Sequence, residues 1–112
     1  MKVAVIGSRN LQVADLSRFL PAETTEIVSG GARGIDTCAR EYALAHQLKL
    51  TEFLPDYQSF GRGAPLKRNI TIIEHADLVL AFWDGQSRGT KYVIDQCKAR
   101  QIPVKIYLPK KE

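Results

Sequence analysis

The chain has 112 residues, 45% of them hydrophobic and 25% charged, with a formal net charge of +4. These proportions exclude wholesale disorder and leave room for one core, so residues 1–112 are expected to form a single domain. No apolar stretch approaches the roughly 18 to 20 residues of a membrane helix, and Met1-Lys2 leads directly into VAVIG, too short for a signal-peptide core, so the expected location is the cytoplasm.

Val3 to Ile6 is apolar throughout, as in a central parallel strand covered on both faces, and runs out into Gly7-Ser8-Arg9. Asn10 is placed to cap a helix with Val13, Leu16, Phe19 and Leu20 inward and Pro21 as its stop. Glu26 to Val28 reads as a second strand entering the turn SGGARGID, Ser29 to Asp36. Ile35, Cys38, Ala39, Tyr42 and His46 then recur at helical spacing, and Leu50 to Leu54 reads as a third strand. An irregular stretch from Pro55 to Gly63 carries Tyr57 and Phe60. Ala64-Pro65 opens a helix with the stripe Leu66, Ile70 and Ile73, proline being tolerated so early. Leu78 to Phe82 is a fourth apolar strand, and the turn DGQSRGT, Asp84 to Thr90, opens a helix with Val93, Ile94 and Cys97 inward. Val104 to Leu108 closes as a fifth strand, with Pro103 at its start where no ladder donor is needed.

Strand and helix alternate throughout, which predicts a doubly wound α/β sandwich: a mainly parallel five-stranded sheet with right-handed crossovers. In such a sheet ligands bind outside the carboxyl ends of the strands, at the switch point of strand order. GSR, SGGARGID, PDY and FWDG are all strand exits, so they are expected along one edge.

Each glycine-rich turn joins a strand to a helix and so directs backbone N–H groups and the positive end of a helix dipole into the crevice, which favours phosphate-bearing ligands. Neither turn is a dinucleotide fingerprint or a P-loop. In the first, Gly30, Gly31 and Gly34 permit close backbone approach, Arg33 adds a forked cation and Ser29 a hydroxyl. Asp36 is read either as an acid favoured by the helix dipole or as an acceptor for ribose hydroxyls. Ser8-Arg9 repeats the hydroxyl–cation pairing, and Arg68-Asn69 adds a cation and an amide. Tyr57, Phe60 and Trp83 are the aromatic residues near the expected crevice; Trp83 could stack on a base, and for Phe60 core packing is at least as good a reading. No serine or cysteine neighbours a histidine at a strand exit, and no paired carboxylates occur. His46 and His75 stand alone, and Cys38 and Cys97 form no metal-ligand spacing, so no metal and no cofactor are expected.

In this order, GSR, SGGARGID, APLKRN and FWDGQSRGT resemble the SLOG superfamily, and within it the YspA-like small proteins. The resemblance implies a Rossmann-like three-layer domain that binds a nucleotide or a nucleotide-derived ligand, ADP-ribose-type or cyclic, at the C-terminal edge of the sheet. It further implies a sensor or sequestering role, as in phage defence or counter-defence, and a homodimer or larger homo-oligomer. The residues it carries over are Gly7, Ser8, Arg9, Ser29, Gly30, Gly31, Ala32, Arg33, Gly34, Arg68, Asn69, Gly89 and Thr90. The reading of the residues adds Asp36, Tyr57, Trp83, Asp84, Gly85 and Ser87. LOG phosphoribohydrolases of the same superfamily set an arginine on the third helix against a glutamate after the fourth strand. Arg68 matches the arginine, but the glutamate position is Val93, which leaves Asp36 and Asp84 as candidate carboxylates. SGGARGID also resembles the turn of DNA-processing A proteins, so a single-stranded DNA-binding module is a further alternative.

Overall fold

The computed structural model describes residues 1–32 and 34–108. Five strands, β1 (Lys2–Gly7), β2 (Glu26–Ser29), β3 (Lys49–Glu52), β4 (Leu78–Phe82) and β5 (Val104–Tyr107), form one all-parallel sheet in the order β3-β2-β1-β4-β5. The chain winds outward from β1 to β3, then returns to lay β4 on the other side of β1. The switch point is therefore the gap between β1 and β4, where a doubly wound sheet opens a crevice.

Among the described residues four helices accompany the sheet: α1 (Ile35–Ala45), α2 (Tyr57–Phe60), α3 (Ala64–Glu74) and α4 (Arg88–Ala99). Because successive strand residues point to opposite faces, the apolar strands feed two cores. Ala4, Ile6, Val79 and Ala81 meet Ile70, Ile73, Val93 and Cys97 of α3 and α4. Val3, Val5 and Leu80 meet Ile35, Ala39 and Ala43 of α1 on the other face. This is the three-layer, Rossmann-like arrangement that the alternation of elements predicts. Both cysteines are free, and burial pushes the Cys97 thiol up to about 11, so it packs as a small hydrophobe.

The helix expected after Asn10 is replaced by one 3-10 turn, Leu16–Arg18. Asp15 is the cause. Its Oδ1 accepts from the Ser17 backbone amide at 3.0 Å and from the Ser17 hydroxyl at 2.6 Å, which starts a new cap inside the segment and competes with a continuous helix. The apolar spacing records burial instead: Leu16 is buried, Val13 and Leu20 pack against the same core, and Phe19 meets Phe82 and Tyr107 edge-on at 5.2 and 4.8 Å. On α3, Leu66 is 41% exposed rather than inward, and Ile72 takes the buried place beside Ile70 and Ile73.

Candidate functional site

At the switch point Gly7 ends β1 with no room for a side chain: a Cβ there would lie 2.5 Å from Ile35 Cγ1 and 2.7 Å from the Phe82 carbonyl oxygen. The exits of β1 and β4 are then tied together. The Ser8 amide donates to the Phe82 carbonyl at 3.0 Å, and the Ser8 hydroxyl oxygen accepts from the Asp84 amide at 3.2 Å. Asp84 folds the following turn around its own carboxylate, Oδ1 accepting from the amides of Gln86 at 2.8 Å and Ser87 at 2.7 Å. These backbone donors hold the Asp84 carboxyl below its usual range. Ser87 caps α4, its hydroxyl accepting from the Thr90 amide at 3.4 Å, and the Trp83 indole fastens the turn by donating to the Ser87 carbonyl at 3.0 Å. The first turn of α4 carries no acid, and Gly89 stands open to solvent. The Asp84 carboxylate, bonded to the amide of the capping Ser87, is the negative charge set against this helix start beside the cleft.

The opposite wall comes from α3 and the β2–α1 turn. Arg68 Nη1 donates to the carbonyls of Gly30 at 2.8 Å and Phe53 at 3.3 Å, while its Nε donates to Asn69 Oδ1 at 2.8 Å. Gly30 is what admits the guanidinium, since a Cβ there would lie 2.6 Å from Nη1. Asp36, in the first turn of α1, accepts from the Ala32 amide through Oδ2 at 3.1 Å. Burial pushes its carboxyl above the usual range, against the Ala32 bond and the charge of Arg68. The adjoining Ser29 hydroxyl is buried and meets no partner at hydrogen-bonding geometry, although it neighbours the Asp36 carboxyl.

Between these walls lies a cleft of about 460 Å³. Of the residues anticipated from sequence, Gly7, Ser8 and Arg9 line it from the β1 exit, and Ala32 and Asp36 from the first glycine turn. Arg68 and Asn69 line it from α3, and Asp84, Ser87, Gly89 and Thr90 from the second turn. Others are beside the cleft rather than in it. Ser29 and Gly30 lie behind Arg68 and Asp36. Gly31 and Gly34 make the turn possible, at φ +70° and +73°, and Gly34 passes against the Arg9 carbonyl. Trp83 is half-buried with its indole N–H occupied, Gly85 makes the tight corner at φ +83°, and Tyr57 stands 59% exposed outside the lining. Arg33 lies outside the described residues.

The expected site residues did not include Asn10, Pro65 and Leu66 at the mouth, nor Ile6 and Ile72 on the floor, where Val93 had been marked only as the LOG glutamate position. The floor residues carry the same apolar periodicity as the core, so sequence alone has no signal that separates them. Asn10 does carry a signal, its place directly after Arg9 at a strand exit. Chemically, the cleft offers two arginines, hydroxyls, the start of α4 and two carboxylates in opposite electrostatic settings. Val93, 1% exposed, puts an apolar floor where a LOG enzyme sets its glutamate. Among the described residues no cluster of histidine, cysteine and carboxylates could hold a metal ion.

A model of the DNA recombination-mediator protein A family matches residues 1–80. The chain belongs to this family. The domain is Rossmann-like and related to the SLOG group, so of the two likenesses read from SGGARGID and its partners, the one to DNA-processing A proteins has a matching family model. The match takes in Ser8-Arg9, the first glycine turn and Arg68-Asn69, and ends within β4, before the turn that caps α4. The chain is also 33% identical over 84 residues to the gene 61 protein of Mycobacterium phage D29, covering 70% of this chain and 67% of that protein. No solved structure matches it. No helix among the described residues is long and apolar enough to cross a membrane.

Proposed function

We propose that the cleft binds a nucleotide or nucleotide-derived anion, with its phosphate at the start of α4. The observation that carries this reading is convergence: Gly89 and Thr90 in the first turn of α4, Ser8 and Ser87, and Arg9 and Arg68 line one cleft. Amide donors, cations and hydroxyls at one helix end are what a phosphate requires. The volume of about 460 Å³ falls in the range of small-molecule sites.

A second reading has family membership in its favour, since the family is named for mediating DNA recombination. In it the nucleotide is one unit of a single strand, and Lys67, Arg62 and the exposed rings of Tyr57 and Phe60 lie along α2 and the start of α3 to meet its neighbours. Titration across salt separates the two. A tracked strand loses affinity steeply, by a log–log slope of about 0.7 per phosphate neutralised, whereas a pocketed mononucleotide loses little. Mononucleotide binding that persists at physiological salt supports the first reading. Tight oligonucleotide binding with no competition from any mononucleotide or ADP-ribose derivative overturns it.

A further inference from the structure

A nucleobase in this cleft has one covered face and one bare one. Ile6, Ile72 and Val93 give it an apolar floor, yet among the described residues no aromatic side chain lines the cleft. Proteins ordinarily hold an unpaired base by stacking it on a ring. A small-molecule site also covers most of its ligand's surface. The covering group for the second face then comes from a neighbouring segment.

Residues 57–63 adjoin the mouth: α2 and the 3-10 turn Gly61–Gly63 lead straight into α3, whose Pro65 and Leu66 line the cleft. None of these seven residues is buried. The segment is held chiefly by its own turn, Asp56 Oδ1 accepting from the Ser59 amide at 3.1 Å and the Asp56 carbonyl from the Phe60 amide at 3.0 Å. Its packing is on α3, where the Phe60 ring lies 6.0 Å from Lys67 Nζ. A unit with so few buried contacts shifts at low free energy. Gly61, at φ +55°, and Gly63 both stand where a Cβ would meet nothing within 4 Å, so they are free to absorb a change of dihedral angle. The two rings of the segment differ. Phe60 is engaged with Lys67, whereas Tyr57 stands 59% exposed. The Tyr57 phenol is close enough to bear on the charge of Arg68, on the cleft wall.

Resting on the nucleotide reading above, we infer that residues 57–63 form a flap that closes on the occupied cleft and lays the Tyr57 ring on the bare face of the base. The base is then held between the apolar floor and the phenol ring. Closure moves the segment about Gly61 and Gly63 and leaves the sheet as it stands. Every base has a ring face, so the flap selects for the presence of a base and not for its identity. A sugar phosphate without a base gives Tyr57 nothing to close on.

The test is hydrogen exchange on the full chain, with the four ribonucleoside 5′-monophosphates and ribose 5-phosphate as probes. A bound monophosphate should slow the amides of residues 57–63 about tenfold, the worth of one stacked ring, and ribose 5-phosphate should leave them unchanged. Protection confined to residues 8–10 and 84–90 overturns the inference while the nucleotide reading survives. Titration of two variants is the second arm. Tyr57→Ala removes an exposed ring, so it should melt with the wild type yet bind monophosphates about tenfold more weakly, through faster dissociation. Tyr57→Phe keeps the ring and should bind as the wild type does. Unchanged monophosphate affinity in Tyr57→Ala overturns the flap. So does a loss confined to oligonucleotides, which would favour the tracked strand. If none of the monophosphates binds, the nucleotide reading fails and the inference falls with it.

Discussion

Arg68 reaches from α3 to the Gly30 carbonyl at 2.8 Å, through a space that a side chain at position 30 would fill. The glycine and the arginine are one device: the first leaves the hole and the second plugs it, pinning the β2–α1 turn to α3. Gly30→Ala should displace the guanidinium while leaving the fold intact, because the colliding atoms are the far end of a flexible side chain. The lost bond predicts a stability decrease of about 1 kcal/mol and a fall in nucleotide affinity matching that of Arg68→Ala. Thermal denaturation and titration of both single variants and the double variant decide it. Since both act through the same group, the double variant should be no weaker than either single one. Additive losses would show that Gly30 and Arg68 act separately.

That pairing also marks where sequence reading stops. The glycines of SGGARGID and Arg68 stood out individually, because turn chemistry and strand exits are local. Their contact spans residues 30 and 68, and no local pattern encodes it. The strands were legible for the same local reason, being short apolar runs between turn residues. The segment after Asn10 misled because its periodicity reports only which side chains are buried. Val13, Leu16, Phe19 and Leu20 do turn to the core, but Asp15 interrupts the helix that would present them. Sequence places Trp83 and Tyr57 near a strand exit but not their direction: the Trp83 indole is tied to Ser87 and the Tyr57 ring is exposed.

Trp83 is the only tryptophan in the chain, and its indole N–H donates to the carbonyl of the residue that caps α4. Any ligand settling on Ser87, Gly89 and Thr90 should therefore alter its emission, giving a saturable signal whose midpoint matches calorimetry. Ser87→Ala removes the cap and should cost about 1 kcal/mol of stability. It should also weaken binding by loosening the first turn of α4. An emission spectrum that stays unchanged at saturating ligand would place the ligand elsewhere.

Asp36 and Asp84 should give the protein opposite responses to pH. Burial raises the Asp36 carboxyl, so the folded state holds its proton more tightly than the unfolded state. Its contribution is fully present below the ordinary aspartate range and is lost as pH rises through the raised value. Asp36→Asn should therefore stabilise the protein at neutral pH relative to wild type, with the advantage fading on acidification. Asp84 is lowered by the amides of Ser87 and Gln86. Its contribution is present above the ordinary aspartate range and lost as pH falls through the lowered value. Asp84→Ala should destabilise at neutral pH, and the deficit should shrink in acid. Melting curves of the three proteins from neutral to acidic pH test both signs, and parallel curves would refute both.

Nucleoside monophosphates should survive incubation with the protein. Phosphoribohydrolysis needs a carboxylate at the sugar to stabilise a developing ribosyl cation or to activate water. The position from which a LOG enzyme supplies it is Val93, buried and apolar on the cleft floor. Asp84 cannot take its place readily, because Oδ1 already accepts two backbone amides and moving it would unfold the cap of α4. Asp36 is better placed, but with Oδ2 fixed on Ala32 it is held as an acceptor at the start of α1. Chromatography of each monophosphate after prolonged incubation should return only starting material. Steady release of free base and ribose phosphate, abolished by Asp36→Asn and retained in Asp84→Asn, would instead make Asp36 a catalytic residue and the cleft an active site.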